Sequence, residues 1–365
     1  MFEICQKNKR AYKKKSTNLK ISFCYNCFFL DKIMIEKNNG WMERLWEWAD
    51  ENDIKEDKLP RNKDELLQLT DLNVESNKLT KLPAEIGKLT QLTELDVSEN
   101  NLTELPPEIG NLTKLTILRI NNGLLFYGNK LMELPPEIGN LIKLTKLDVS
   151  HNNLTELPPE IGNLTQLTEL SVNMNKLTEL PLELFKLTQL TELDVGSNKL
   201  TKLPLELFKL TQLTGLWVYQ NKLTELPPEI GNLIKLTKLD VGSNTFLNIV
   251  GNQLTELPPE IGNLTQMRHL NVCTNNLVEL PPEIGNLTQL INFHIDENKL
   301  AKLPAEIIKL TSLNYLSLFS NKILTLTNEQ KNWIEELKDN DCDVKIEKEK
   351  LRQQNHITDN DNIPF

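Results

Sequence analysis

The stretch LTELDVSENNLTELPPEIGNLTK, residues 92–114, decides the fold, because the chain repeats it with small changes along most of its length. Most copies have the same 23-residue length. Eleven copies follow one another, and they begin at Leu69, Leu92, Leu115, Leu144, Leu167, Leu190, Leu213, Leu236, Met267, Leu290 and Leu313. Self-similarity at a fixed period of roughly 20–50 residues is typical of a repeat architecture.

Each copy has two halves. In the first half, LTELDVS, apolar residues at the fourth and sixth positions alternate with polar ones, which predicts a half-buried strand. One strand cannot bury its leucines alone, so the copies must stack as parallel strands ~4.8 Å apart. An asparagine at the ninth position can satisfy backbone groups where the chain leaves the sheet. In the second half, the prolines predict an extended segment before a short helical or 3₁₀ turn.

From Leu69 to about Leu326 the spacing L-x-x-L-x-L-x-x-N-x-L resembles the leucine-rich-repeat family. The second half, LPPEIGNLTxL, is most similar to the intracellular Ras-group type with 23-residue repeats and to its bacterial relatives. The resemblance implies an α/β fold. The expected structure is a leucine-rich-repeat solenoid, or horseshoe, with a parallel sheet on the concave face and with short helical or 3₁₀ turns and extended segments on the convex face.

The sequence outside the repeats predicts caps at both ends, as an open solenoid requires. Trp41, Leu45 and Trp48 fall on one helical face, and Thr327 and Gln330 have capping-box spacing. We divide the chain into a basic extension (1–33), a helical N-terminal cap (34–68), the eleven repeats (69–326), a C-terminal cap (327–346) and a disordered tail (347–365).

Residues 1–33 differ in character from the rest, with many lysines followed by the apolar run ISFCYNCFFL. This order resembles a secretion signal, but Asn26 interrupts the run and no small-residue cleavage site follows. The alternative is an extension upstream of a native start at Met34, and we favour that interpretation.

Composition excludes several classes of function. The net charge is −10, and a protein of that sign is repelled by phosphate backbones, so a nucleic-acid partner is not expected. No run of about 18 apolar residues predicts a membrane span. The five cysteines are odd in number and form no disulfide framework, which favours a cytoplasmic location.

Two copies break the period, because those at Leu115 and Leu236 carry six and eight extra residues. The inserts LLFYGNKL (124–131) and LNIVGNQL (247–254) each read as a second copy of the strand segment. Only one copy can join the sheet, and the sequence does not decide which. The other must form an apolar loop, either a contact site that includes Leu125 and Tyr127 or an inert product of repeat slippage.

The concave surface is where the copies differ most, at their third, fifth, seventh and eighth positions. Its first two-thirds is acidic, which predicts a basic protein partner or only a solvated face. The acidic candidates are Asp96, Asp148, Asp194 and Asp240. Aromatic side chains on an open sheet have no core to fill and are typical interface anchors. The aromatic and histidine candidates are Trp217, Tyr219, His269, His294, Tyr315 and Phe319. Because we expect Asp194 to face solvent, we also expect the substitution Asp194→Ala to change the stability of the protein little.

Enzymatic motifs are missing from the sequence, which has no phosphate-binding loop, no H-E-x-x-H and no G-x-S-x-G. The cluster of Cys273, His294, His269 and Asp296 could form a thiol nucleophile or hold zinc. An open sheet excludes no water, however, and offers no oxyanion hole. We therefore expect no catalytic residues, no metal and no cofactor, and the Cys273 site is the least favoured alternative.

The sequence thus predicts a monomeric scaffold that captures a partner protein on its concave face, and the family resemblance implies intracellular signalling. The alternative is a bacterial effector, secreted from the cell, that binds a host protein.

Overall fold

The computed structural model describes residues 40–122, 128–243 and 251–351. Twelve parallel strands form one sheet in which every strand pairs with its neighbour in sequence. The strands are β1 (Asp71–Asn73), β2 (Glu94–Asp96), β3 (Ile117–Arg119), β4 (Lys146–Asp148), β5 (Glu169–Ser171), β6 (Glu192–Asp194), β7 (Gly215–Trp217), β8 (Lys238–Asp240), β9 (His269–Asn271), β10 (Asn292–His294), β11 (Tyr315–Ser317) and β12 (Asp343–Lys345). The eleven repeats contribute one strand each, β1 to β11, which confirms the leucine-rich-repeat solenoid, and β12 comes from the chain beyond them.

The core runs the length of the stack behind the sheet. Leu193 and Val195, at the fourth and sixth positions, are fully buried, and the same positions are buried in the other repeats. Asn198, at the ninth position, donates to the carbonyls of Val172 and Val195 at 3.1 Å and accepts from the Leu177 amide at 2.9 Å. The asparagines therefore link successive coils through backbone groups, as the sequence predicts.

The convex side consists of five-residue 3₁₀ turns such as Pro159–Asn163. A Cβ on Gly162 would lie 2.5 Å from the Glu183 carbonyl oxygen, so glycine lets neighbouring turns stack closely. In two consecutive repeats this glycine is replaced by the buried residues Phe185 and Phe208. The 3₁₀ turn of the second of these repeats, Leu205–Lys209, packs less closely against the turns before and after it than the other turns pack against one another.

The ends of the stack are covered by helices. At the N-terminus, α1 (40–51) buries Leu45 and Trp48, and α2 (Lys63–Leu66) follows it. At the C-terminus, α3 (Asn328–Asp339) begins with the predicted capping box of Thr327 and Gln330. Within the described ranges, no helix combines the length and the apolar composition that a membrane crossing needs.

The chain beyond α3 differs from the expectation. Strand β12 pairs with β11, and a four-residue helix, α4 (Lys348–Leu351), follows it. Glu347, where we expected the disordered tail to begin, accepts a hydrogen bond from the Ser320 amide at 2.8 Å, and Lys350 donates to the Lys322 carbonyl at 2.8 Å. The rest of the expected tail, 352–365, lies outside the described residues.

Each irregular repeat uses parts of both of its strand copies. The strand comes from the first copy, since β3 and β8 pair in register with their neighbours. The asparagine comes from the second copy. Asn129 accepts from the Leu102 amide at 3.0 Å, and Asn252 accepts from the Leu223 amide at 3.0 Å. In the sequence, the extra residues therefore fall between the strand and its asparagine.

Candidate protein-binding face

The concave face is built from the third, fifth and seventh positions of the repeats, because alternate residues of a strand point to the same side. The parallel register places Asp194 of β6, Trp217 of β7 and Asp240 of β8 side by side at the fifth position. Tyr219 follows Trp217 at the seventh position. The sheet thus brings four of the predicted residues together at its centre.

The aspartates at the fifth position close a turn. The carboxylates of Asp194 and Asp240 accept the backbone amides of Gly196 and Gly242 at 2.9 Å. Asp96 and Asp148 accept the amides two residues on in the same way, at 3.0 Å. These hydrogen bonds were not expected from the sequence, which indicates only that the residues face inward.

Asp194 also has a second partner, because the Asn173 side chain donates to it at 2.7 Å. The residue is partly buried and fixed by two hydrogen bonds. The structure therefore corrects the premise that Asp194 lies free in solvent, on which the expected small effect of Asp194→Ala depends.

Burial shifts the acid–base properties of the two central carboxyl groups. Desolvation raises the pKa of Asp194 to about 6, opposed by its hydrogen bonds to Gly196 and Asn173. Desolvation likewise raises the pKa of Asp240 to about 6. Both groups are thus mainly ionised at pH 7.5, although the protein environment opposes their charge.

Trp217 and Tyr219 lie against glycines. A Cβ on Gly215 would lie 2.4 Å from Cη2 of Trp217, and one on Gly196 would lie 2.3 Å from Cε1 of Tyr219. Any other residue at either glycine would displace a ring. Both aromatic side chains remain partly exposed, and the Lys238 ammonium lies 6.0 Å from the centroid of the Trp217 ring. The sheet therefore fixes two rings flat on its concave surface.

A depression of about 340 Å³ extends from Trp217 toward β3. Its charged lining includes Arg119, Lys146, Asp148, Glu169, Glu192 and Asp194. Lys146 pairs with Glu169 at 2.7 Å, and Arg119 lies 3.8 Å from Glu94. The acidic character predicted for this part of the face is therefore partly neutralised by Arg119 and Lys146 and, near Trp217, by Lys238.

The remaining aromatic candidates form a separate group on β9 to β11. The rings of His294 and Tyr315 stack with centroids 4.5 Å apart. Burial lowers the pKa of His294, and burial with the charges of Lys238 and Arg268 lowers that of His269, so both imidazoles are neutral near pH 7. Phe319 is 52% exposed at the end of the sheet. Leu125 and Tyr127, the candidates in the first insert, lie outside the described residues.

Cys273 does not have the environment of a nucleophile. Its thiol is buried and donates to the Ser243 carbonyl at 3.0 Å, and burial raises its pKa to about 11. A nucleophilic cysteine needs the opposite shift. In the part of the chain that the structure describes, no three His, Cys, Asp or Glu residues are grouped so that they could hold a metal ion.

Comparison with known proteins places the chain in a family. A family model described as a leucine-rich repeat region matches residues 53–126 and 244–340, and a leucine-rich-repeat model matches 142–199. A search of curated proteins found no match.

Three solved structures illustrate the likeness. A leucine-rich-repeat protein from Leptospira interrogans is 32% identical, with 78% of this chain and 86% of that chain covered and a TM-score of 0.50. The internalin InlF from Listeria monocytogenes is 25% identical, with coverages of 77% and 81% and a TM-score of 0.57. The ectodomain of the Arabidopsis receptor kinase HAESA, solved with a peptide hormone, is 26% identical, with coverages of 74% and 44% and a TM-score of 0.58. The chain therefore belongs to the leucine-rich-repeat family.

Proposed function

We propose that the protein is a binding scaffold that captures a partner protein on its concave face. The observation that carries this proposal is the pair of partly exposed rings, Trp217 and Tyr219, which lie over Gly215 and Gly196 on an open sheet, with Asp194 and Asp240 on the two neighbouring strands. Rigid aromatic side chains at the centre of a surface are the usual anchors of protein interfaces. Because the sheet holds them in place, binding costs little side-chain entropy.

The similar structures support the proposal at the level of the fold. The HAESA ectodomain was solved with a peptide hormone, and the ectodomain of GASSHO1/SCHENGEN3, 26% identical to this chain, was solved with CASPARIAN STRIP INTEGRITY FACTOR 2. Those proteins use leucine-rich-repeat arrays for recognition. The acidic centre of this array makes a basic partner the best match in charge.

The setting that we propose is a monomeric scaffold in intracellular signalling, of the Ras-group type and without a catalytic role. The alternative is a bacterial effector that binds a host protein, which the neighbours from Leptospira and Listeria favour. A translocation assay on the full chain and on a chain without residues 1–33 separates the two settings, because only an effector would appear in the host cell.

Affinity capture from the source cell, read by mass spectrometry, tests the binding face. The variant bait carries Trp217→Ser and Tyr219→Ser. Serine is native at the same positions of other repeats, as at Ser171 and Ser98, so the fold is retained. The control bait carries Ile234→Thr, since Ile234 is 56% exposed outside the strands and threonine occupies its position in other repeats.

We expect a protein that the native and control baits retain and that the serine variant loses. Equal capture by all three folded baits would place the binding site elsewhere. Capture of no protein by the native bait would contradict the scaffold function itself.

A further inference from the structure

The two carboxylates beside Trp217 have no cationic partner among the residues that the structure describes. Among the described residues, no Lys or Arg nitrogen lies within 4.0 Å of Asp194 or Asp240. Lys146 pairs with Glu169, Arg119 lies 3.8 Å from Glu94, and Lys238 lies 6.0 Å from the Trp217 ring centroid. A partly buried carboxylate is costly unless a positive charge pairs with it.

These carboxylates retain hydrogen-bonding capacity. An ionised carboxylate offers about four lone-pair sites. Asp194 uses two, for the Gly196 amide and the Asn173 side chain. Asp240 accepts from the Gly242 amide and from the Asn271 side chain. Further acceptor positions on both residues remain for a donor that approaches over the concave face.

The indole ring of Trp217 also favours a cation. The face of an indole ring carries negative charge density and attracts ammonium and guanidinium groups. Lys238 already lies 6.0 Å from the Trp217 centroid, at the outer limit of such an interaction. The ring is fixed by its contact with Gly215, so its position does not depend on a ligand.

We propose that Asp194, Trp217, Tyr219 and Asp240 form a binding site for an arginine side chain of the partner protein. This inference rests on the proposed function and assigns a chemical class to the group that the scaffold recognises. The two aspartates flank Trp217 on neighbouring strands, ~4.8 Å to either side. A planar guanidinium stacked on Trp217 has donors that point outward in several directions, so it can donate to a neighbouring carboxylate while it stays stacked. A compact ammonium group has no planar face to stack in this way.

Titration with N-acetyl-arginine methylamide, followed by the ¹⁵N-indole signals of the full chain, tests the site. The Trp217 signal is assigned from its loss in Trp217→Phe. The analogue in which citrulline replaces arginine keeps the shape and planarity and removes the charge. We expect the Trp217 signal to shift with the arginine compound, with at least tenfold weaker binding of the citrulline compound and of the lysine compound.

The variant is Asp194→Asn with Asp240→Asn. The fold tolerates asparagine at this position, because Asn271 occupies it in β9 and accepts the Cys273 amide at 3.0 Å. A matched control, Asp71→Asn with Glu75→Gln, changes the net charge equally at two exposed residues of the first repeat, away from the depression. We expect the first pair to weaken arginine binding at least tenfold and the control pair to leave it within twofold.

Three outcomes would overturn the proposal: no shift of the Trp217 signal at millimolar arginine compound, equal shifts with arginine and citrulline, or equal loss in both double variants. The proposed function fails separately. If the Asp194→Asn, Asp240→Asn bait captures the same partner as the native chain, the arginine site is wrong while the scaffold function stands.

Discussion

At the scale of single residues, Asp194 shows how one side chain serves both fold and surface. Its carboxylate closes the turn onto the Gly196 amide and also contributes charge to the concave face. Asparagine closes the equivalent turn at Asn73 and Asn271, where it accepts the amides of Glu75 and Cys273. A side chain that closes this turn therefore needs an oxygen acceptor and not a negative charge.

This separation predicts different effects for two replacements of Asp194. Alanine removes the acceptor and leaves the Gly196 amide and the Asn173 side chain without this partner, whereas asparagine retains the turn. We expect Asp194→Ala to be less stable than Asp194→Asn by about 1–2 kcal/mol. Urea denaturation at pH 7.5 measures the difference, and equal midpoints for the two variants would show that the turn contributes nothing.

The raised pKa values predict a pH dependence of stability. The folded protein binds protons on Asp194 and Asp240 more tightly than the unfolded chain, with pKa values of about 6 against 3.8. Their stabilising contribution is complete below the unfolded value and is lost as the pH rises through about 6. A shift of this size corresponds to up to about 3 kcal/mol for each group.

The double variant Asp194→Asn, Asp240→Asn lacks these titrations. Between pH 4 and pH 7, its free energy of unfolding should therefore increase relative to that of the native protein. Denaturation series at several pH values provide the comparison, with Asp96→Asn, Asp148→Asn as the control. A difference that stays constant with pH would contradict the raised pKa values.

At the scale of elements, the two irregular repeats stack regularly because the insertion lies between the strand and the asparagine, the two features that the stack requires. The strand needs its apolar fourth and sixth positions, and the next requirement is the asparagine that links the coils. Asn122, just before the first insert, donates to the Asn129 carbonyl at 2.8 Å and accepts from the Asn129 amide. The two asparagines that flank the insert are thus hydrogen-bonded to each other where the chain leaves the strand.

Deleting residues 123–128 should restore a regular 23-residue repeat, with Asn122 at the eighth position and Asn129 at the ninth. The eighth position has φ between 50° and 60° in nine repeats, a conformation that asparagine tolerates well. We expect an unchanged circular dichroism spectrum and an equal or higher midpoint of thermal unfolding. Loss of cooperative unfolding would mean that the strand and the asparagine belong to different copies from those described.

At the scale of the whole molecule, the sequence predicts the solenoid because each repeat has the same spacing of apolar residues, asparagine and proline. Buried fourth and sixth positions, the asparagine ladder and the 3₁₀ turns all follow from that pattern. The positions of Trp217 and Tyr219 follow too, since the repeat numbering places them on the concave face. Their packing against Gly215 and Gly196 could not be predicted, because the repeat period does not show which residues touch.

Other features could not be predicted from the repeat pattern, for specific physical reasons. Strand β12 (Asp343–Lys345) lacks the leucine spacing of a repeat. Its pairing with β11 depends on the position at which α3 ends. The combination of two copies in each irregular repeat is equally hidden, because either copy fits the consensus. The turn made by Asp194 depends on a backbone amide two residues away, which periodicity does not report.

The central claim is that the partner binds on the concave face beside Trp217. The most direct measurement places a photo-crosslinking amino acid at Ser171, which lines the depression, and a second one at Ile234, outside the strands. Irradiation in the source cell should join a partner protein to position 171 and not to position 234. Crosslinking of one protein at position 234 alone would contradict the claim and place the interface outside the concave sheet.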